Sequence, residues 1–352
     1  MKLQLPPKPR IVISRLKYIG DIVLTTPILR AVREKYPDAH ITYLGDAKGI
    51  ALLENNSCLD EIIPFDFDKA TLIEQPRVIF KLRSLKPDVF IDLFCNPRSA
   101  MLAYLSGARI RIGKEVRGRG KLYTHRITDD GKPKSAIKFH FAYVEPIGVE
   151  PTTWKTEIVL TDAEKRDARI FLKWQDIDLE RPVVALHPGA TWNAKKWNKE
   201  YFAELIDLLN AKLRAQVVIT QGPKDAEVVN EVSKLAVGNA TVLPVMPLRQ
   251  LAAILSCCNC FVTNDCGPMH ISVAVGTPTI GIFGSGEEET WFPYVPPYYP
   301  ADAKHIALRK DVPCHPCHLN DCNRAGDGFM ECMKLLKPRE VLDVISSIIA
   351  KT

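Results

Sequence analysis

Short apolar runs alternating with helical patterns constrain this chain more than any other feature. "RIVISRL", "HITYLG", "EIIPF" and "DVFIDLF" read as strands. "TTPILRAVREKYP", "KGIALLENN" and "PRVIFKLRSLKP" lie between them and read as helices, the first with Thr26 as N-cap and Pro27 at N1. The alternation loosens from Gly107 to about Lys155 and resumes at "RPVVALHPGA". The strands "AQVVITQG", "ATVLPV", "NCFVTND" and "PTIGIFG" follow, separated by helices. Strands separated by helical patterns argue for a parallel sheet with crossover helices. Two such series predict an α/β protein of two Rossmann-like domains, 1–178 and 179–352, with the boundary near Asp178–Pro182. A length of 352 residues agrees with two domains of roughly 150 residues each. Between the series, "TDAEKRDARIFLKW" is a helix with a capping box, Thr161 as N-cap and Glu164 at N3.

Composition excludes several classes. With 46% hydrophobic and 25% charged residues, the chain can bury globular cores. Its formal charge of +6 suits anionic small molecules or a membrane surface. No basic stripe interleaved with aromatics appears, so nucleic acid is not an expected partner. The N-terminus lacks an apolar signal region and no run of 18 apolar residues occurs, so neither a secretory leader nor a membrane span is expected. The ten cysteines are accordingly expected in a reducing compartment.

The first strand is followed by "LKYIGDIV" rather than G-x-G-x-x-G, which disfavours a dehydrogenase. Gly20 and Asp21 instead occupy the carboxyl end of that strand, where open α/β sheets place ligands. Asp21 is either a helix cap or a base. In "LHPGATWNAKKW", the small Gly189 lets backbone N–H groups approach an anion, while Thr191 and Lys195 add a hydroxyl donor and a point charge. In "TNDCGPMH", Asp265 ends a strand, Gly267 allows close backbone approach, and Pro268, Met269 and His270 open a helix. Free N–H groups at a helix start favour an anion, so this stretch reads as a diphosphate seat. Asp265 is expected to cap that helix or to bind sugar hydroxyls.

In this order and spacing, the three motifs resemble the bacterial heptosyltransferases, glycosyltransferase family nine, from Arg10 to about Ile349. The resemblance implies a GT-B fold, two Rossmann-like domains facing a central cleft, with the last helix (about 338–350) returning to the first domain. It implies an inverting transfer of heptose from ADP-heptose to the lipopolysaccharide inner core, with no cofactor and no catalytic metal. Asp21 then matches the general base. Lys195 and Thr191 match the donor-phosphate loop, and Asp265, Gly267 and His270 the donor motif. Asp225 or Glu227 in "GPKDAE" would hold the ribose. Ala190 departs from the family, which often has a second hydroxyl there. The acceptor would be of the lipid A–Kdo type, and the protein cytoplasmic, peripheral to the inner membrane.

Two features stand outside these motifs. "ARIRIGKEVRGRGK" holds six basic residues and one acid. The stretch reads as a solvated loop; in a heptosyltransferase, by the resemblance, it would sit on the acceptor side with Gly20, and its Arg109, Arg111, Lys114, Arg117 and Arg119 would face acceptor phosphates or an anionic leaflet. Cys314, Cys317, Cys322 and Cys332 form C-x2-C-x4-C-x9-C, a spacing for a structural metal or for packed, redox-labile thiols. Alternatives to the heptosyltransferase reading are a transferase with another sugar or acceptor, a nucleotide-sugar epimerase of GT-B architecture, and a cysteine-cluster scaffold.

Overall fold

The computed structural model describes residues 2–66, 74–128, 131, 135–292 and 304–350. The chain forms two compact units, Met1–Val159 and Leu160–Thr352. The first contains β1 (Arg10–Arg15), β2 (His40–Asp46), β3 (Glu61–Phe65), β4 (Val89–Asp92), β5 (Ile110–Lys114) and β6 (His125–Ile127). They form one sheet in the order β3-β2-β1-β4-β5-β6. The second contains β7 (Val183–His187), β8 (Gln216–Ile219), β9 (Ala240–Val242), β10 (Cys260–Asn264), β11 (Thr279–Ile282) and β12 (His305–Leu308). Its order is β12-β11-β10-β7-β8-β9, the same arrangement seen from the other edge.

All neighbouring strands pair in parallel. A parallel sheet covered on both faces needs strands that are apolar throughout. Ile11, Val12 and Ile13 of β1 and Val183 to Leu186 of β7 are accordingly buried. In each unit the order reverses beside the first strand, between β1 and β4 and between β7 and β10. The carboxyl ends of those strands are where doubly wound sheets bind ligands.

The division falls earlier than the expected boundary near Asp178. The helix Asp162–Trp174 packs on the helix Leu248–Leu255 and buries Ala168 and Leu172. Arg249 Nε and Nη2 donate to the two Glu164 oxygens at 2.6 and 2.7 Å. These contacts tie it to the second unit, and the predicted Thr161–Glu164 capping box is present. The last helix, Pro338–Ile349, buries Val341, Leu342, Ile345 and Ile348 in the second unit's core, against the helix Lys199–Leu213.

The basic stretch 108–121 is not a single loop. Ile110 and Ile112 alternate inward with Arg111 on the other side, so residues 110–114 pair with β4 as a strand. Thr26 is inside its helix rather than capping it; Thr25 is the N-cap, and Thr26 Oγ1 donates to the Val23 carbonyl at 2.8 Å.

Candidate active site

In the first unit, β1 ends at Arg15, and a short helix, Ile19–Val23, places Gly20 and Asp21 in its first turn. Both residues are buried, with Asp21 8% exposed. Arg15 forms an ion pair with Asp21 through Nη2 and donates from Nη1 to the Leu93 carbonyl at 2.5 Å. Its guanidinium also lies 5.1 Å from the centre of the Phe94 ring. Burial pushes the Asp21 carboxyl above the usual carboxylate range, while Arg15 and backbone N–H groups oppose the shift. A carboxylate left more basic than usual, yet held in place, is suited to accept a proton.

The neighbouring β4 ends in a second carboxylate whose contacts are structural. Asp92 Oδ1 accepts from the backbone N–H groups of Phe94 and Cys95 at 3.0 Å. Asp92 Oδ2 accepts from the Tyr123 hydroxyl at 2.6 Å. His140 lies in the core and reaches the Leu24 carbonyl through Nδ1 at 3.4 Å. Burial and the charge of Arg15 push it down to about 3, so it is neutral near pH 7.

The five basic residues grouped by sequence do not share one edge. Lys114 ends β5, and its backbone N–H donates to Cys95 Sγ at 3.0 Å. Arg119 Nε donates to the Cys95 carbonyl at 2.9 Å. These two, with exposed Arg117 between them in the chain, belong to the carboxyl edge that carries Asp21. Arg109 precedes β5 and lies at the opposite, amino-terminal edge. Arg111 is spent internally, on the carbonyls of Leu122 and Ala108 at 2.8 and 2.7 Å and on the Tyr104 ring.

In the second unit three loops converge at the ends of β7, β10 and β11. Lys195 Nζ lies 2.5 Å from Asp265 Oδ2, and both side chains are mostly buried. Lys195 Nζ is also 4.5 Å from the centre of the Trp192 ring. Burial raises the Asp265 carboxyl and Lys195 opposes the shift. Asp265 therefore does not cap the helix Gly267–Ala274; its N-cap is Cys266, with no side-chain hydrogen bond. That helix starts with Pro268 in its first turn and buries Met269 and His270. Burial, then the charge of Lys195, pushes His270 down to about 3, leaving a neutral ring beside the cation.

The ribose alternatives separate by burial. Asp225 is at the N-cap of the helix Ala226–Leu235, Glu227 in its exposed first turn. Asp225 Oδ2 accepts from the Gly222 N–H at 2.7 Å and lies 3.5 Å from His187 Nε2. Its carboxylate covers Gly189 so closely that any Cβ there would overlap it. Thr191 is exposed on the same loop.

Two contributors escaped the sequence reading. Asn264, fully buried, accepts from the Trp197 backbone N–H at 2.9 Å and donates to the Pro188 carbonyl at 2.9 Å. It therefore pins both ends of the loop that carries Gly189 and Lys195 to the end of β10. Gly286, after β11, packs where a Cβ would strike Asp265 Oδ2. The signals were "ND" after a strand and "GSG" after another; neither is specific without the third dimension.

Residues 77–324 match the profile of Glycosyltransferase family 9 (heptosyltransferase). The chain belongs to this family. It is 27% identical to Lipopolysaccharide heptosyltransferase 3 of Escherichia coli over 296 residues, covering 79% of this chain and 84% of the relative. Among solved structures it is similar to the glycosyl transferase family 9 protein of Veillonella parvula, with a TM-score of 0.83, 25% identity and 98% coverage of both chains. It also resembles the E. coli ADP-heptose lps heptosyltransferase II, with a TM-score of 0.78 and 21% identity, covering 97% of this chain and 99% of that one. The fold of this family 9 glycosyltransferase is the GT-B type, with two Rossmann-like units.

The cysteine segment braces the loops that carry Ala194 and Ser285. The Ala194 N–H donates to the Asn320 carbonyl at 2.9 Å, and the His318 N–H to the Ser285 carbonyl at 2.8 Å. All four thiols are free. Burial pushes Cys332 up to about 11, and Cys314, Cys317 and Cys322 add to the shift. Among the described residues no group of three or more histidine, cysteine or acidic side chains is arranged to hold a metal.

Proposed function

We propose that this glycosyltransferase moves heptose from ADP-heptose to the lipopolysaccharide inner core, with inversion and without a catalytic metal. The relatives' names supply the donor and acceptor class. The observation that carries the reading is Lys195, held against Asp265 at the ligand-binding edge of the second unit, beside an uncapped helix start.

Departure of ADP leaves negative charge on the diphosphate. Lys195 and the N–H groups at Gly267–His270 supply fixed positive potential there, so the reaction needs no divalent cation. Asp265 orients the ammonium, which has three protons and can still donate to phosphate. Neutral His270 adds a donor without repelling Lys195. Asp225, beside Gly189, is the ribose ligand in this scheme. The acceptor belongs to the first unit, where Lys114, Arg117 and Arg119 suit the phosphates of a lipid A–Kdo acceptor. As its hydroxyl attacks the anomeric carbon from the face opposite ADP, Asp21 takes the proton, a role typically worth about 10²–10⁴-fold. The enzyme works at the cytoplasmic face of the inner membrane.

Calorimetric titration with ADP, UDP, GDP and ADP-heptose tests the donor. Binding confined to the adenine compounds is expected. Preference for UDP or GDP removes heptose as the sugar, and turnover of ADP-heptose without any acceptor points to an epimerase instead.

A further inference from the structure

Asp225 is held in a way that its place in the chain does not require. It stands at the N-cap of the helix Ala226–Leu235, where an aspartate ordinarily accepts from the first free N–H groups of its helix. Here the side chain makes no such bond. It turns back instead, so that Oδ2 accepts from the Gly222 N–H at 2.7 Å and lies 3.5 Å from His187 Nε2. Oδ1 has no hydrogen-bond partner among the described residues, and the side chain is 16% exposed. One oxygen is anchored and the other is left over.

His187 is the last residue of β7 and is buried. Burial pushes its ring below the ordinary range while the Asp225 charge opposes the shift, so the ring is neutral near pH 7 and carries one proton. The neighbours decide which nitrogen holds it. Nδ1 lies 3.0 Å from the Thr220 hydroxyl. That hydroxyl has one proton and two acceptors within reach, the ring and the Leu186 carbonyl at 3.2 Å. The carbonyl already accepts the Thr220 backbone N–H at 2.8 Å, whereas Nδ1 has no other donor among the described residues. With the hydroxyl proton on Nδ1, the ring proton sits on Nε2 and faces Asp225. The other tautomer would set the Nε2 lone pair against a carboxylate inside the protein, which is repulsive.

We propose that Thr220 and His187 are positioning residues for the donor ribose. The Thr220 hydroxyl fixes the ring tautomer, His187 Nε2–H holds Asp225 Oδ2, and Oδ1 is thereby presented to the ribose hydroxyls. The proposal rests on the reading of Asp225 as the ribose ligand and adds what keeps that carboxylate off its own helix. It also gives a role to a buried histidine that no step of the transfer uses. The ribose is separated from the breaking glycosidic bond by the diphosphate, so the array acts on donor affinity. An orienting partner behind a ligating carboxylate keeps the loss of side-chain freedom on binding small.

Calorimetry of the full chain with ADP and with 2′,3′-dideoxy-ADP tests it. The wild type is expected to prefer ADP by at least about tenfold, the usual worth of hydrogen bonds to a charged group. His187→Leu should weaken ADP binding and leave the analogue's affinity in place, shrinking the preference to within about threefold. His187→Gln, whose amide N–H can take the place of Nε2–H, should keep most of it. Thr220→Val removes the hydroxyl with little change of shape; it should also lower the preference, and it stands in if the leucine variant does not fold. In turnover the loss should appear in the donor KM rather than in kcat. Full preference retained in His187→Leu or Thr220→Val overturns the proposal. So does a glutamine variant that loses as much as the leucine variant, which would make His187 a packing residue. Asp225→Ala separates the two readings. If it alone loses the preference, the ribose ligand stands and the positioning array falls. If it keeps the preference, or the wild type shows none, the ribose reading fails and takes the proposal with it.

Discussion

Lys195 Nζ and Asp265 Oδ2 stand 2.5 Å apart at the end of β10, a cation and an anion brought together from positions seventy residues apart in the chain. The pair is mostly buried, so removing one partner leaves the other's charge uncompensated. Lys195→Ala should weaken ADP binding at least about tenfold, by loss of a direct charge-assisted hydrogen bond. Calorimetry reads this directly, and unchanged ADP affinity takes Lys195 out of the donor site.

Gly189 is predicted to be replaceable by nothing larger without a cost. A Cβ there meets the Asp225 carboxylate. Gly189→Ala should destabilise the second unit by about 1–3 kcal/mol through overpacking and raise the KM for donor. Adding Asp225→Ala should restore the melting temperature but not the KM, because the space returns while the ribose ligand is gone. Recovery of both would make Asp225 a packing residue only.

Asp21→Asn should lower kcat by at least about 100-fold with ADP affinity near wild type. Arg15→Gln is the companion test. Arg15 opposes the burial-driven rise of the Asp21 carboxyl, so its loss should raise that group further. The acid limb of the rate–pH profile should then move to higher pH, because a greater share of Asp21 is protonated and unable to act as base. An unmoved limb assigns it to another group.

Acid sensitivity should come from the buried histidines. His140 and His270 are held near 3, below the ordinary 6.5. The folded state binds a proton less readily than the unfolded chain, so stability is full above about pH 6.5 and is lost as pH falls toward 3. At pH 5 each contributes a loss of about 2 kcal/mol. Asp21 and Asp265, raised by burial, act in the opposite sense, gaining stability as they protonate. Thermal unfolding of His140→Gln against wild type isolates the histidine: the gap between them should change between pH 7 and 5. A constant gap rules out its titration.

The sequence by itself determined the strand–helix alternation, the two-unit α/β class and the three loops that hold Asp21, Lys195 and Asp265. Apolar runs, capping signals and small residues after strands are local, and local chemistry is legible in one dimension. Asp225 and Glu227 were indistinguishable there, being two residues apart; only the fold packs Asp225 over Gly189 and leaves Glu227 in solvent. Asn264 and Gly286 were silent because their partners, Trp197 and Asp265, come from other loops. The basic stretch misled for the same reason. A strand carries its residues from one edge of the sheet to the other, so Arg109 and Lys114, neighbours in sequence, end at opposite edges. Charge density is a property of the sequence. Which edge receives the charge is set by strand direction and pairing, and those exist only in the tertiary structure.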